Sequence, residues 1–254
     1  DYWPKQAKII QVDINPNRIG LTKKVTIGIV ADAKKVAESI LAKLSANAGN
    51  TDREERKNLI STTKSRWAQE LSSMDHEDDD PGTTWNQRAR AAKPDWMSPR
   101  MAWRAIQSAL PKNAIISSDI GNNCAIGNAY PTFEEGRKYL APGLFGPCGY
   151  GLPSIIGAKI GNPDTPVVGF AGDGAFGISM NEMTSVGRDQ WPAVTMVIFR
   201  NYQWGAEKRN STLWYDDNFV GTELDTDVSY AGIAKACGLQ GFQARTMDEL
   251  RDAL

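Results

Sequence analysis

The stretch VVGFAGDGAFGISMNEM runs from Val167 to Met183 and decides how the rest of the chain is read. Val167 to Ala171 is apolar or small throughout, the pattern of a strand buried on both faces. It ends in Gly172-Asp173-Gly174. A helical pattern follows at once, with Phe176, Ile178, Met180, Met183 and Val186 as its apolar positions and Gly187 and Pro192 bracketing its end. Val194 to Phe199 is the next strand, and it ends at Arg200-Asn201. Strand, helix and strand of this length predict a right-handed crossover between parallel strands. Asp173 and Asn201 then stand at the carboxyl ends of their strands, on the edge where open α/β sheets bind ligands.

Asp173 offers an anionic oxygen and Asn201 a neutral one. That pairing suits a hard divalent cation, Mg2+ or Ca2+, which completes its shell with water and phosphate oxygens. Gly174 and Ala175 open the helix, so their N–H groups and the positive end of its dipole form a seat for phosphate. Glycines on both sides of Asp173 let the backbone approach a bulky anion. Alone, Gly-Asp-Gly reads equally as a tight turn with Asp173 capping a helix. The strand before it, the helix after it and the Asn ending the next strand favour a metal–diphosphate site.

Outward from this centre the elements keep alternating. Ser98-Pro99 reads as an N-cap followed by Pro at the first helical position, and the helix carries Met101, Trp103, Ile106 and Leu110 before Pro111 stops it. AIISSDIG (114–121) is a strand, GLPSIIGAKIG (151–161) a helix, PVVGFAGD (166–173) a strand, GISMNEMTSVGRD (177–189) a helix and AVTMVIF (193–199) a strand. The prediction is an α/β fold, a parallel sheet with helices on both faces, from Trp96 to Leu254. Upstream, Ala7–Ile14 and Val25–Val30 read as strands around the turn Asn15-Pro16-Asn17. Asp32 caps a helix with Val36, Ile40, Leu41 and Leu44 on its apolar face. Residues 1–44 therefore look like the closing part of another α/β domain. Residues 45–95 are dense in charge, contain HEDDDPG and Pro94, and read as a linker with one short helix near Arg53–Leu71. His76, the single histidine, falls in this linker and reads as a solvated residue.

Net charge of −1 over 254 residues argues against nucleic acid or an anionic membrane as the main partner. With 41% apolar residues the chain has material for a sizeable core. The three cysteines, Cys124, Cys148 and Cys237, form no CxxC, which fits a reducing cytoplasm better than a disulfide framework. No apolar run reaches the length of a membrane helix, and the N-terminus lacks the pattern of a signal peptide. The chain opens without Met and stops within TMDELRDAL, so it is expected to be a piece of a longer protein.

At these residues the chain resembles the thiamine-diphosphate enzymes of the acetolactate synthase and pyruvate decarboxylase superfamily. Their motif is Gly-Asp-Gly, a spacer, then Asn-Asn. Here Arg200 stands in place of the first Asn, and Asn201 keeps the second. The resemblance implies that Asp173, Asn201 and the Gln203 carbonyl hold Mg2+. It also implies that Gly172, Gly174 and Ala175 border the diphosphate. SSDIGNNCAIGNAY resembles the loop placing two polar residues, Asn122 and Asn123, near that diphosphate. FGPCGYGLPSIIGAKIGNP resembles the segment cradling the aminopyrimidine, with Gly146 supplying a carbonyl and Cys148 an amide N–H. The family usually has a bulkier apolar side chain at position 148.

FRNYQWGAEKRN (199–210) and GNNCAIGNAYPTFEEGRKYLAPGLFGPCGYG (121–151) are similar in particular to the sulfoacetaldehyde acetyltransferase branch, and that similarity covers essentially the whole chain. It implies cytoplasmic cleavage of sulfoacetaldehyde with phosphate, giving acetyl phosphate and sulfite, as a step of taurine or other sulfonate degradation. An acetolactate-synthase-like carboligase acting on pyruvate and a non-catalytic cofactor-binding or subunit-interaction module are the alternatives. Arg200, Lys208 and Arg209 are candidates for contact with sulfonate or phosphate. The activating glutamate is expected in an N-terminal domain outside this chain, so no catalytic residue is assigned within it; Glu182 is not given that role. The fragment alone is expected to be inactive. The family's cofactor sites lie between subunits, implying a homodimer or homotetramer, with Trp204, Trp214, Tyr215 and Phe219 at the seam or along a substrate channel.

Overall fold

The computed structural model describes residues 6–46, 53–75, 97–133, 136 and 138–254. Two compact units divide the chain, Asp1–Ser65 and Arg66–Leu254, and the division falls inside the stretch read as a linker. His76 and residues 76–96 lie outside the described residues.

In the first unit, β1 (Ile10–Asp13) pairs in parallel with β2 (Ile27–Val30), Ile10 opposite Ile27 and Asp13 opposite Val30. Both strands are shorter than the apolar runs that announced them. A 3-10 turn at Pro16–Arg18 lies between them, where the Asn15 side chain accepts from the Asn17 amide at 3.0 Å. Helix α1 spans Ala33–Ala46, and the Asp32 carboxylate caps it by accepting from the Lys35 amide at 3.1 Å. Ile40, Leu41 and Leu44 on its apolar face are exposed. Helix α2 spans Glu54–Asp75, longer at its C-terminal end than the helix expected near Arg53–Leu71.

The second unit is built on a four-stranded parallel sheet among the described residues, in the order β4-β3-β5-β6. The strands are β3 (Ile115–Ser118), β4 (Tyr139–Leu140), β5 (Val167–Gly172) and β6 (Thr195–Phe199). Helices α3 (Pro99–Ala109), α4 (Asn122–Gly127) and α5 (Gly151–Gly161) precede β5. Helix α6 (Asp173–Ser179) follows it directly and passes through a 3-10 turn into α7 (Met183–Val186). Beyond β6 come α8 (Gly205–Trp214), α9 (Tyr230–Ala236) and α10 (Met247–Ala253). The α/β architecture read from the sequence is the one observed. The helix expected over 177–189 starts earlier and is interrupted by the 3-10 turn. Strand β4 went unforeseen, since two residues carry no period.

Alternate residues of β5 serve opposite faces. Val168 and Phe170 join Trp103, Ile106, Ile116, Tyr130 and Leu71 on one side. Val167 and Ala171 join Ile115, Leu152, Ile155, Phe176 and Met183 on the other. Trp103 is fully buried, its ring centroid 4.3 Å from that of Phe170 and 5.5 Å from that of Phe199. Gly169 has no room for a side chain: a Cβ there would stand 2.6 Å from Met196 Sδ and 3.0 Å from Ile155 Cγ2. Helix α5 thus lies close on the sheet.

Candidate functional site

Register places three strand ends on one rim. Ser118 pairs with Phe170 and Gly172 with Phe199, so the residues just past them, Asp119, Asp173 and Arg200-Asn201, emerge together. Asp173 is 2% exposed. Its Oδ1 accepts from the Gly174 amide at 3.1 Å and its Oδ2 from the Tyr202 amide at 2.7 Å. Burial pushes its carboxyl above the usual range, opposed by those amide hydrogen bonds and by the charge of Arg200.

One end of the Asn201 carboxamide lies 2.9 Å from the Gln203 carbonyl oxygen and 3.1 Å from Asp173 Oδ1. With nitrogen there, the amide donates to both. With oxygen there, it accepts from the Gln203 amide at 3.4 Å and faces two other oxygens. Bare oxygens at such spacing repel; a shared cation removes the repulsion. The edge of an Mg2+ octahedron with bonds of about 2.1 Å is about 3.0 Å, so the two spacings from the Asn201 carboxamide, 2.9 and 3.1 Å, each match an edge of such a shell. Among the described residues no group of three or more His, Cys, Asp or Glu could hold a metal. One carboxylate with two neutral oxygens is a donor set for a hard cation that takes its remaining ligands from elsewhere.

The other candidate residues gather around this point to different degrees. Gly172 is the N-cap of α6, but the Gly174 amide is already held by Asp173. Asn122 opens α4; its Nδ2 and that of Asn201 both crowd Gly205, lying 3.2 and 2.7 Å from where a Cβ would be. Asn123 is buried, and neither end of its carboxamide has a hydrogen-bond partner among the described residues. Such an orphaned amide suits a polar group from outside the chain. Gly146 (φ +68°) and Cys148 lie on the loop before α5. Burial, then the charges of Asp119 and Glu207, push the Cys148 thiol up, so it stays protonated. All three cysteines are free thiols.

Two of the three candidate substrate cations are engaged within the protein. Lys208 pairs with Glu223 and lies over the Phe219 ring. Arg200 Nη2 donates to the Thr226 carbonyl at 3.0 Å, and Arg209 is exposed on α8. Glu182 accepts from the Asn181 side chain at 3.3 Å. Trp214, Tyr215 and Phe219 are exposed, whereas Trp204 is half-buried against α6: a Cβ on Gly174 would meet its Cε3 at 2.8 Å.

Asp119 was missed, although it stands inside the quoted SSDIG. It is 1% exposed, and its Oδ1 accepts from the Ile120 and Gly149 amides at 2.8 and 3.1 Å. Its Oδ2 accepts from the Gly151 amide at 2.7 Å. The carboxylate thereby ties the Gly146–Gly151 loop and the start of α5 to the end of β3. Tyr202 and Tyr230 were missed too, and no local pattern marks them.

Residues 119–254 match the family described as thiamine pyrophosphate enzyme, C-terminal TPP binding domain. The chain belongs to the thiamine pyrophosphate enzymes. The matched segment of this TPP-binding domain begins at Asp119 and contains the whole rim. Over all 254 residues the chain is 82% identical to the sulfoacetaldehyde acetyltransferase of Roseovarius nubinhibens, spanning 42% of that protein. It is 40% identical to the sulfoacetaldehyde acetyltransferase of Castellaniella defragrans, again spanning 42%. A probable acetolactate synthase large subunit of Methanococcus aeolicus is 27% identical over 98% of the chain. The TPP-binding domain and its preceding unit thus span less than half the length of these relatives. No helix among the described residues is long and apolar enough to cross a membrane.

Proposed function

We propose that the whole protein is a thiamine-diphosphate-dependent acetyltransferase that converts sulfoacetaldehyde and phosphate to acetyl phosphate and sulfite. The observation that carries this is the convergence of the Asn201 carboxamide on the Gln203 carbonyl and Asp173 Oδ1, at 2.9 and 3.1 Å, in a chain 82% identical to a protein named for that reaction. In this reading residues 1–44 close a middle α/β domain, 45–95 link, and 96–254 bind the cofactor.

When bound, the cofactor supplies a nucleophilic carbon that accepts and releases the two-carbon unit. The chain's own residues bind and orient it. Asp173 Oδ1, Asn201 Oδ1 and the Gln203 carbonyl would hold Mg2+, and the cation would clamp the diphosphate. Gly172, Gly174 and Ala175 shape the backbone beside that diphosphate. Asn122 and the unpartnered Asn123 stand ready to donate to its oxygens. Gly146 and Cys148 offer a carbonyl and an amide N–H to the aminopyrimidine, on a loop tied down by Asp119. Trp204 packs its ring against Gly174 on one side of that turn. The general acid that activates the ring is assigned outside this chain. The enzyme is further read as a cytoplasmic homo-oligomer in sulfonate breakdown.

The test is sulfite release from sulfoacetaldehyde by the full-length protein with phosphate, Mg2+ and thiamine diphosphate. Sulfite and acetyl phosphate in equal amounts are expected, and none from the 254-residue chain alone. Carbon dioxide and acetolactate from pyruvate, with no sulfite, would overturn the assignment.

A further inference from the structure

Arg200 directly precedes the cation-binding asparagine, at the position where the resemblance has a first Asn. Its guanidinium is spent on the protein itself. Nη2 donates to the Thr226 carbonyl at 3.0 Å, and Cζ lies 4.3 Å from the centroid of the Tyr202 ring and 5.5 Å from that of Tyr230. Both tyrosines bond to Asp173, one to its side chain and one to its backbone. The Tyr202 amide holds Asp173 Oδ2 at 2.7 Å, and it does so from a φ of +60°, a conformation a bulky side chain resists. The Tyr230 hydroxyl donates to the Asp173 carbonyl at 3.2 Å, while its ring stands edge-on to Phe176 at 5.4 Å.

Resting on the cation-site reading above, we propose that Arg200 is a positioning residue: its guanidinium, held over Tyr202 and Tyr230 and bonded to Thr226, locks the backbone that aims Asp173 and Asn201 at the cation. A planar cation suits this task. It offers two faces to aromatic rings and keeps donors in its plane for a carbonyl, which neither Lys nor Asn can do together. The same clamp offsets the strain at Tyr202, whose carbonyl accepts from the Leu224 amide at 2.8 Å and whose neighbour Gln203 bridges to Glu223. Arg200 therefore serves the ligand geometry rather than a substrate anion.

The experiment uses the full-length protein and its Arg200→Met, Arg200→Lys and Tyr230→Phe variants. Mg2+ affinity at saturating thiamine diphosphate is measured by calorimetry, beside the metal-free Tm and the KM for phosphate and for sulfoacetaldehyde. Arg200→Met is expected to weaken Mg2+ binding about tenfold or more, the scale for partners that orient metal ligands. Arg200→Lys should recover part of that loss, and both KM values should hold. Tyr230→Phe keeps the ring under the guanidinium and loses only the bond to the Asp173 carbonyl, so it separates that contact from the Arg200 clamp; if Arg200→Met does not fold, Arg200→Lys decides the matter, with Mg2+ affinity expected below wild type. An affinity within twofold of wild type in the folded Arg200 variants, with only Tm lowered, overturns the proposal. So does a loss confined to the phosphate or sulfoacetaldehyde KM. Wild-type protein that binds no Mg2+ with thiamine diphosphate overturns the cation-site reading itself, and the proposal with it.

Discussion

The Tyr202 amide donates to Asp173 Oδ2 at 2.7 Å across 29 residues of chain. That bond joins the end of β5 to the turn after β6 and leaves Oδ1 turned toward Asn201 and Gln203. Asp173 is the one charged oxygen donor of the trio. In the full-length protein Asp173→Ala should lower Mg2+ affinity by about 100-fold or more and abolish the cation dependence of thiamine diphosphate binding. Titration calorimetry checks it, and an unchanged affinity would remove Asp173 from the site.

Burial sets the sign of a pH effect at the same residue. The Asp173 carboxyl is held above its ordinary 3.8 chiefly by loss of water. A carboxyl raised on folding contributes stability below its unfolded value and loses it as pH rises through the folded value. The Tm of metal-free wild type should therefore fall relative to Asp173→Asn as pH rises above 3.8. Mg2+ with thiamine diphosphate should reverse that trend, because a bound cation favours the ionised form. A difference that grows in favour of metal-free wild type over this window contradicts the sign.

Asp119 holds three backbone amides at one buried point. Asp119→Ala leaves them without acceptors, at about 1–3 kcal/mol for each buried group and less than their sum in total. We expect about 3 kcal/mol lost in urea unfolding, with Asp119→Asn losing less because it keeps one acceptor oxygen. A change under about 0.5 kcal/mol for the alanine variant would mean that the loop is held by other means.

Trp103 tests the core. It is fully buried between Phe170 and Phe199, yet its Nε1 has no hydrogen-bond partner among the described residues. Trp103→Ala should cost about 3–5 kcal/mol. Trp103→Phe should cost much less, since it removes the orphaned donor along with part of the ring. Equal losses for the two, measured by urea unfolding, would show that the indole nitrogen is satisfied.

Much of the fold is legible because local rules and the tertiary result agree. Pro99 opens α3 behind Ser98, the helix over Gly151–Gly161 has the bounds its pattern announced, and Val167–Ala171 is buried on both faces. The exceptions have physical causes. Strands β1 and β3 stop short of their apolar runs, because pairing ends where a neighbour does. Helix α6 breaks at Met180, and β4 is two residues long and exists only through its pairing with β3.

From the sequence alone come the parallel crossover, the shared rim for Asp173 and Asn201, and the oxygen chemistry suited to a hard cation. These follow from periodicity, strand ends and donor type, all local properties. Only the tertiary structure decided that Asp119 anchors the loop before α5, that Trp204 lies over Gly174, and that Arg200 faces two tyrosines rather than an open cleft. Such contacts join residues tens of positions apart, and a side chain's partner there is set by how strands and loops pack, which no spacing in the chain encodes.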